Sequence, residues 1–158
     1  MLRFLNLPIL FPVLMGLGLL ILHPESRKTR NLYLMTAVLI TSALSFAAIG
    51  VTYVQGSDAL ACIMVRFNDV FSISLRIDGA SMVFGTIVST LWPIITVYAI
   101  DYMSHEGSEN RFFSFWLMAY GVVLGVAYSE DFLSLYLFYE LLTLSTLPLV
   151  MHAADEKA

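Results

Sequence analysis

Cysteine is nearly missing from the chain: Cys62 stands alone, which excludes an internal disulfide and any multi-cysteine metal or iron–sulfur site. Charge is scarce too, at 13% of residues against roughly 25% in an ordinary soluble domain. What charge there is sums to -4 and forms no basic patch able to neutralise phosphates, which argues against a nucleic-acid role. No internal repeat and no low-complexity segment occurs. No serine, histidine, cysteine or metal-ligand set converges within the apolar runs, so neither a catalytic centre, a metal site nor another cofactor is expected.

What fills the chain is apolar: 59% of its 158 residues are hydrophobic. A soluble core of this size could not hide that much apolar surface. The charges are segregated into short connections between runs of about 20 residues, each enough to cross a roughly 30 Å hydrocarbon layer. The pattern predicts an all-α polytopic membrane protein, one membrane domain over 1–158, with about five transmembrane helices at 4–22, 32–53, 79–102, 111–128 and 132–151. The first run follows Arg3 but is too long for a signal-peptide core and lacks a small-residue cleavage site. Phe71-Ser72-Ile73-Ser74-Leu75-Arg76-Ile77 alternates apolar and polar residues, the period of a half-buried strand. With Ala61 to Phe67 across Asn68-Asp69, it predicts a small extramembrane β-hairpin at about 61–77.

Arg27, Lys28 and Arg30 cluster between the first two helices. The positive-inside rule places that loop in the cytoplasm, which puts the N-terminus and the hairpin outside and the C-terminus inside. Arg3 on the outer side runs against this, and Arg66 and Arg76 are balanced by Asp58, Asp69 and Asp78. The expected location is the cell inner (plasma) membrane, multi-pass and surrounded by lipid.

Within the spans, Gly121 and Gly125, and Ser81, Gly85 and Ser89, recur at four-residue spacing, which permits close backbone approach between helices. Pro93 sits inside the third helix and frees the carbonyl of Ser89, giving either a kink or a hinge. Pro148 reads as a terminator or kink. His23, His105 and His152 fall at helix ends or in loops, where a solvated interfacial reading stands beside a proton-relay one. Glu140 differs from all of these. It lies about 12 Å along the fifth helix from Phe132, and an ionised side chain at that depth costs about 2.5–3.5 kcal/mol on translocon-type scales. Tyr136 and Thr143 share its face at helical spacing. The stripe is either part of an ion path or a neutral, hydrogen-bonded carboxyl that fixes helix register.

Several segments resemble one family in order and spacing: Ile77-Asp78-Gly79 opening a helix, Tyr102-Met103 closing it, Arg111-Phe112-Phe113 opening the next, and Leu135-Tyr136-Leu137-Phe138-Tyr139-Glu140-Leu141-Leu142-Thr143-Leu144-Ser145 after a short turn. These are similar to the N-terminal part of the antiporter-like subunits shared by respiratory complex I, Mrp-type cation/proton antiporters and energy-converting membrane-bound hydrogenases. The wording Tyr139-Glu140-Leu141-Leu142-Thr143 looks closer to the hydrogenase and Mrp-like branches. The resemblance runs from about Ile77 to Met151; before it only the layout agrees.

The resemblance implies that Glu140 occupies the place of the family's helix 5 glutamate, which pairs with a lysine on helix 7 and modulates its proton affinity. Family members have about fourteen helices, in two inverted five-helix repeats with broken helices 7 and 12. This sequence departs from them by stopping after the fifth helix, and Lys157 cannot replace the lysine, since 17 residues of helix span about 25 Å. The expectation is an N-terminal part of a subunit of a redox-driven proton or sodium translocating complex, not catalytic alone. Such a complex would be of NADH:quinone oxidoreductase or hydrogenase type. Its partners would be the other membrane subunits and, if separately encoded, helices 6–14. The alternative is a truncated or structural scaffold with no transport of its own.

Overall fold

The computed structural model describes residues 4–24, 26–66, 72–104 and 109–155. The expected hairpin turn at Asn68-Asp69, His105 and Lys157 lie outside the described residues, as does the side chain of His152. A single 3-10 turn, Phe4–Asn6, leads into α1 (Leu7–Leu22); α2 (Arg27–Gln55), β1 (Cys62–Arg66), β2 (Ser72–Leu75), α3 (Gly79–Met103), α4 (Glu109–Ala127) and α5 (Phe132–Asp155) follow.

Helix ends follow local chemistry. Pro8 sits in the first turn of α1, where its missing N–H costs nothing, and His23 closes the helix in the left-handed conformation, its N–H donating to the Leu19 carbonyl at 3.3 Å. The helix α2 starts at Arg27 rather than at Leu32. The basic stretch expected as a connection continues the helix instead, because Arg and Lys are good helix formers and Ser26 stands in extended conformation at the N-cap. It ends at Gly56, whose φ of 97° favours glycine. Asp78 caps α3 by accepting from the Ser81 N–H at 2.8 Å. The start of α4 at Glu109 also precedes the predicted 111, since an acid in the first turn suits the helix dipole.

Four helices, Phe4–Leu22 counted with its leading turn, α2, α3 and α4, are long and apolar enough to cross a membrane; α5 carries an apolar stretch, Phe132–Pro148. With Leu14, Ile21, Val54, Val97 and Leu144 turned outward, these four to five apolar helices make a multi-pass membrane protein.

The helix α4 lies at the centre. It packs against α1 and α5, and also touches α2 and α3, which pair with each other. Small residues set these distances. A Cβ on Gly16 of α1 would stand 2.6 Å from the Ser114 carbonyl of α4; one on Gly121 would strike the Ile9 carbonyl, and one on Gly125 the Phe138 ring of α5. Gly85 of α3 abuts the Tyr128 hydroxyl.

The two strands pair antiparallel, Cys62 opposite Leu75 and Arg66 opposite Ser72, with an irregularity between Ile63 and Val65. The second strand also docks on the connection between α4 and α5: the Arg76 N–H donates to the Tyr128 carbonyl at 2.8 Å, the Glu130 N–H to the Ser74 carbonyl at 3.1 Å, and Leu75 bridges to Ser129. Cys62 Sγ approaches Asn6 Oδ1 at 3.3 Å, so the hairpin, the start of α1 and the α4–α5 turn share one end of the bundle.

Candidate functional site

The placement of α5 begins at its N-cap. Asp131 accepts from the Ser134 N–H at 2.7 Å through Oδ1, while its Oδ2 accepts from the Ser74 hydroxyl. Burial pushes the Asp131 carboxyl up, but the hydrogen bonds from Ser74, Ser134 and Leu133 together outweigh it and hold the carboxyl below its usual range. One turn on, Phe138 is buried in the notch left by Gly125. A helix with Phe138 facing α4 must turn positions two residues either side away from it.

Tyr136, Glu140 and Thr143 accordingly lie on the exposed side of α5, with Tyr139 beside them. Tyr136 is 51% exposed. The Thr143 hydroxyl is satisfied within its own helix, donating to the Tyr139 carbonyl at 3.2 Å. Among the described residues Glu140 has no ion-pair partner. The stripe is thus one outward face of the bundle, and it does not meet the glycines, which lie in helix contacts, or Pro93, which is half-buried in α3. Among the described residues no group of three His, Cys, Asp or Glu side chains could hold a metal ion.

Sequence reasoning missed two further polar assemblies. At the end of the bundle opposite the hairpin, Arg30 and Glu109 form a buried ion pair, 5% and 7% exposed. Arg27 adds a second contact to Glu109 at 3.1 Å, and the Arg30 guanidinium lies 5.3 Å from the Phe113 ring centroid. Both partners sit at helix ends, where charge reads as solvated. The second assembly is a chain of buried hydroxyls between α2, α3 and α4. Ser42 bonds Tyr120 at 2.8 Å, Ser45 bonds Tyr128 at 2.6 Å, and Ser89 donates to Ser45 at 2.7 Å. Trp92 stacks on Tyr120 at a centroid distance of 4.9 Å. Part of the signal was present in spacing: Ser42 and Ser45 share one face of α2.

Residues 66–113 match the family described as NADH-Ubiquinone oxidoreductase (complex I), chain 5 N-terminus. The chain is 28% identical over 148 residues to the chloroplastic NAD(P)H-quinone oxidoreductase subunit 5 of Ipomoea purpurea, covering 90% of this chain and 21% of the relative. It is 29% identical over 140 residues to the same subunit of Piper cenocladum, covering 85% and 19%. It is 23% identical over 154 residues to the Na(+)/H(+) antiporter subunit A1 of Staphylococcus haemolyticus, covering 98% and 19%. The chain spans about a fifth of the length of these curated relatives. The matches support the antiporter-like family, in its N-terminal part.

Proposed function

We propose that this chain, similar as it is to the N-terminal part of antiporter-like subunits, contributes Glu140 of α5 to the ion path of a proton- or sodium-translocating membrane complex. The observation that carries the reading is the position of Glu140, a carboxyl inside an apolar helix, on a face its own bundle leaves uncovered. A charge at that depth is costly unless another protein group meets it, and Tyr136 and Thr143 extend the face with hydroxyls. The partner this face calls for is a membrane-depth cation supplied by further helices, whether of the same subunit or a neighbouring one. The similarity to subunits of an NAD(P)H-quinone oxidoreductase and of a Na(+)/H(+) antiporter supports a multisubunit setting. The cation cluster at Arg27, Lys28 and Arg30 supports a cytoplasmic start of α2.

The experiment is flux in proteoliposomes. The chain alone should carry no proton or sodium flux. In the complex that contains it, Glu140→Gln should impair translocation at least tenfold while leaving assembly intact. Undiminished flux in the assembled Glu140→Gln complex would remove the carboxyl from the path.

A further inference from the structure

Strand β2 does more than complete a hairpin. Its Ser74 holds the start of α5 by three bonds: the Ser74 N–H donates to Ser134 Oγ at 2.8 Å, the Ser74 carbonyl accepts from the Glu130 N–H at 3.1 Å, and the Ser74 hydroxyl donates to Asp131, which itself caps α5 at the Ser134 N–H. Ser74 and Ser134 are both buried, at 8% and 0% exposure. The main other contact of α5 runs along α4, with the apolar Phe138 ring in the Gly125 notch. Apolar packing is non-directional, whereas hydrogen bonds fix distance and angle. A slip of one residue would move α5 by about 1.5 Å and turn it by about 100°, enough to carry the Glu140 carboxyl off its face.

We propose that Ser74 and Ser134 are positioning residues for Glu140: they peg the first turn of α5 to β2, and so set the depth and rotation at which the carboxyl leaves the bundle. The hairpin, outside the hydrocarbon, thereby governs a group within it. This rests on the reading of Glu140 given above.

The test uses the whole chain in lipid bilayers, with Cys62→Ser to free it of its native thiol and spin labels on Leu14→Cys and Leu144→Cys, both outward-facing positions at 64% and 65% exposure. In the double variant Ser74→Ala/Ser134→Ala the distance between labels should shift by on the order of 5 Å, the radius of a helix with its side chains. The infrared carboxyl stretch of Glu140, identified by its loss in Glu140→Gln, should shift with it. Ser74→Thr/Ser134→Thr keeps both hydroxyls and should restore distance and band, and Thr90→Ala, on an exposed face of α3, should move neither. If the double variant fails to fold, Ser134→Ala alone should give the same two shifts at smaller amplitude. An unmoved distance or an unmoved carboxyl band in a folded variant overturns the proposal. Failure of the Glu140 reading itself would show separately, as undiminished flux in the Glu140→Gln complex with the pegs intact.

Discussion

Glu109 lies with Arg30 largely shielded from water, at 7% and 5% exposure, and removing one member of such a pair strands the other. Glu109→Ala should therefore cost about 3–5 kcal/mol, while replacing both Arg30 and Glu109 by apolar residues of similar volume should come close to neutral; denaturant titration in mixed micelles reads both. The hydroxyl chain behaves otherwise, because a membrane-embedded hydrogen bond averages only about 0.6 kcal/mol in double-mutant cycles. Tyr128→Phe, which takes a 2.6 Å bond from Ser45 but leaves it the donation from Ser89, should destabilise by about 0.6 kcal/mol and no more than about 1.7 kcal/mol. Glu140 stands out in the sequence as a lone acid inside an apolar run, and the structure places it on the exposed face of α5; its part in an ion path is the proposal made above. The ion pair was not legible, because its members stand 79 residues apart and each belongs to a polar connection. Nothing local distinguishes a charge that folds inward from one that stays in water.

Among the elements, the helices were readable from apolar runs, and their starts were the poorest part of that reading: Arg27–Asn31 and Glu109–Asn110 are polar in sequence yet helical in the fold. Tertiary contact, an ion pair between two helix beginnings, stabilises turns that hydropathy assigns to loops. The contact of α1 with α4 depends on the absence of side chains at two crossing points. Gly121→Ala should push the helices apart and cost about 1–3 kcal/mol, as overpacked cores do, whereas Gly50→Ala, with open space around it, should not destabilise; thermal unfolding followed by circular dichroism separates the two. The caps of α3 and α5 give a pH dependence. The carboxyls of Asp78 and Asp131 are both held below their ordinary 3.8, Asp78 chiefly by the Ser81 N–H, Asp131 by hydrogen bonds that outweigh its burial. A depressed folded-state pKa stabilises fully above the unfolded value and is lost as pH falls through the folded one. The amide resonances of Ser81 and Ser134 should therefore hold steady from neutral pH down to about pH 4, then move as the caps protonate. Cap resonances that shift above pH 5 would contradict this.

At the scale of the whole molecule, the hairpin, the start of α1 and the α4–α5 turn gather at one end, and the Arg30–Glu109 pair marks the other. Accessibility tags at the N-terminus and at Ser57 should label from one side of the membrane, and tags at Lys28 and Ala158 from the other; labelling of both termini from one side would break the five-crossing arrangement. The short links from α1 to α2, α3 to α4 and α4 to α5 make those pairs antiparallel neighbours, but the central place of α4 was not legible, since a helix's neighbours depend on where its small residues fall in three dimensions. That centrality has a consequence in time. Arg30 is synthesised 79 residues ahead of the carboxylate that neutralises it, an interval of roughly 4–16 seconds at ribosomal rates of about 5–20 residues per second. During that interval the Arg30 guanidinium lacks its α4 partner and is left to the water at the membrane boundary, and the pair closes only when α4 arrives.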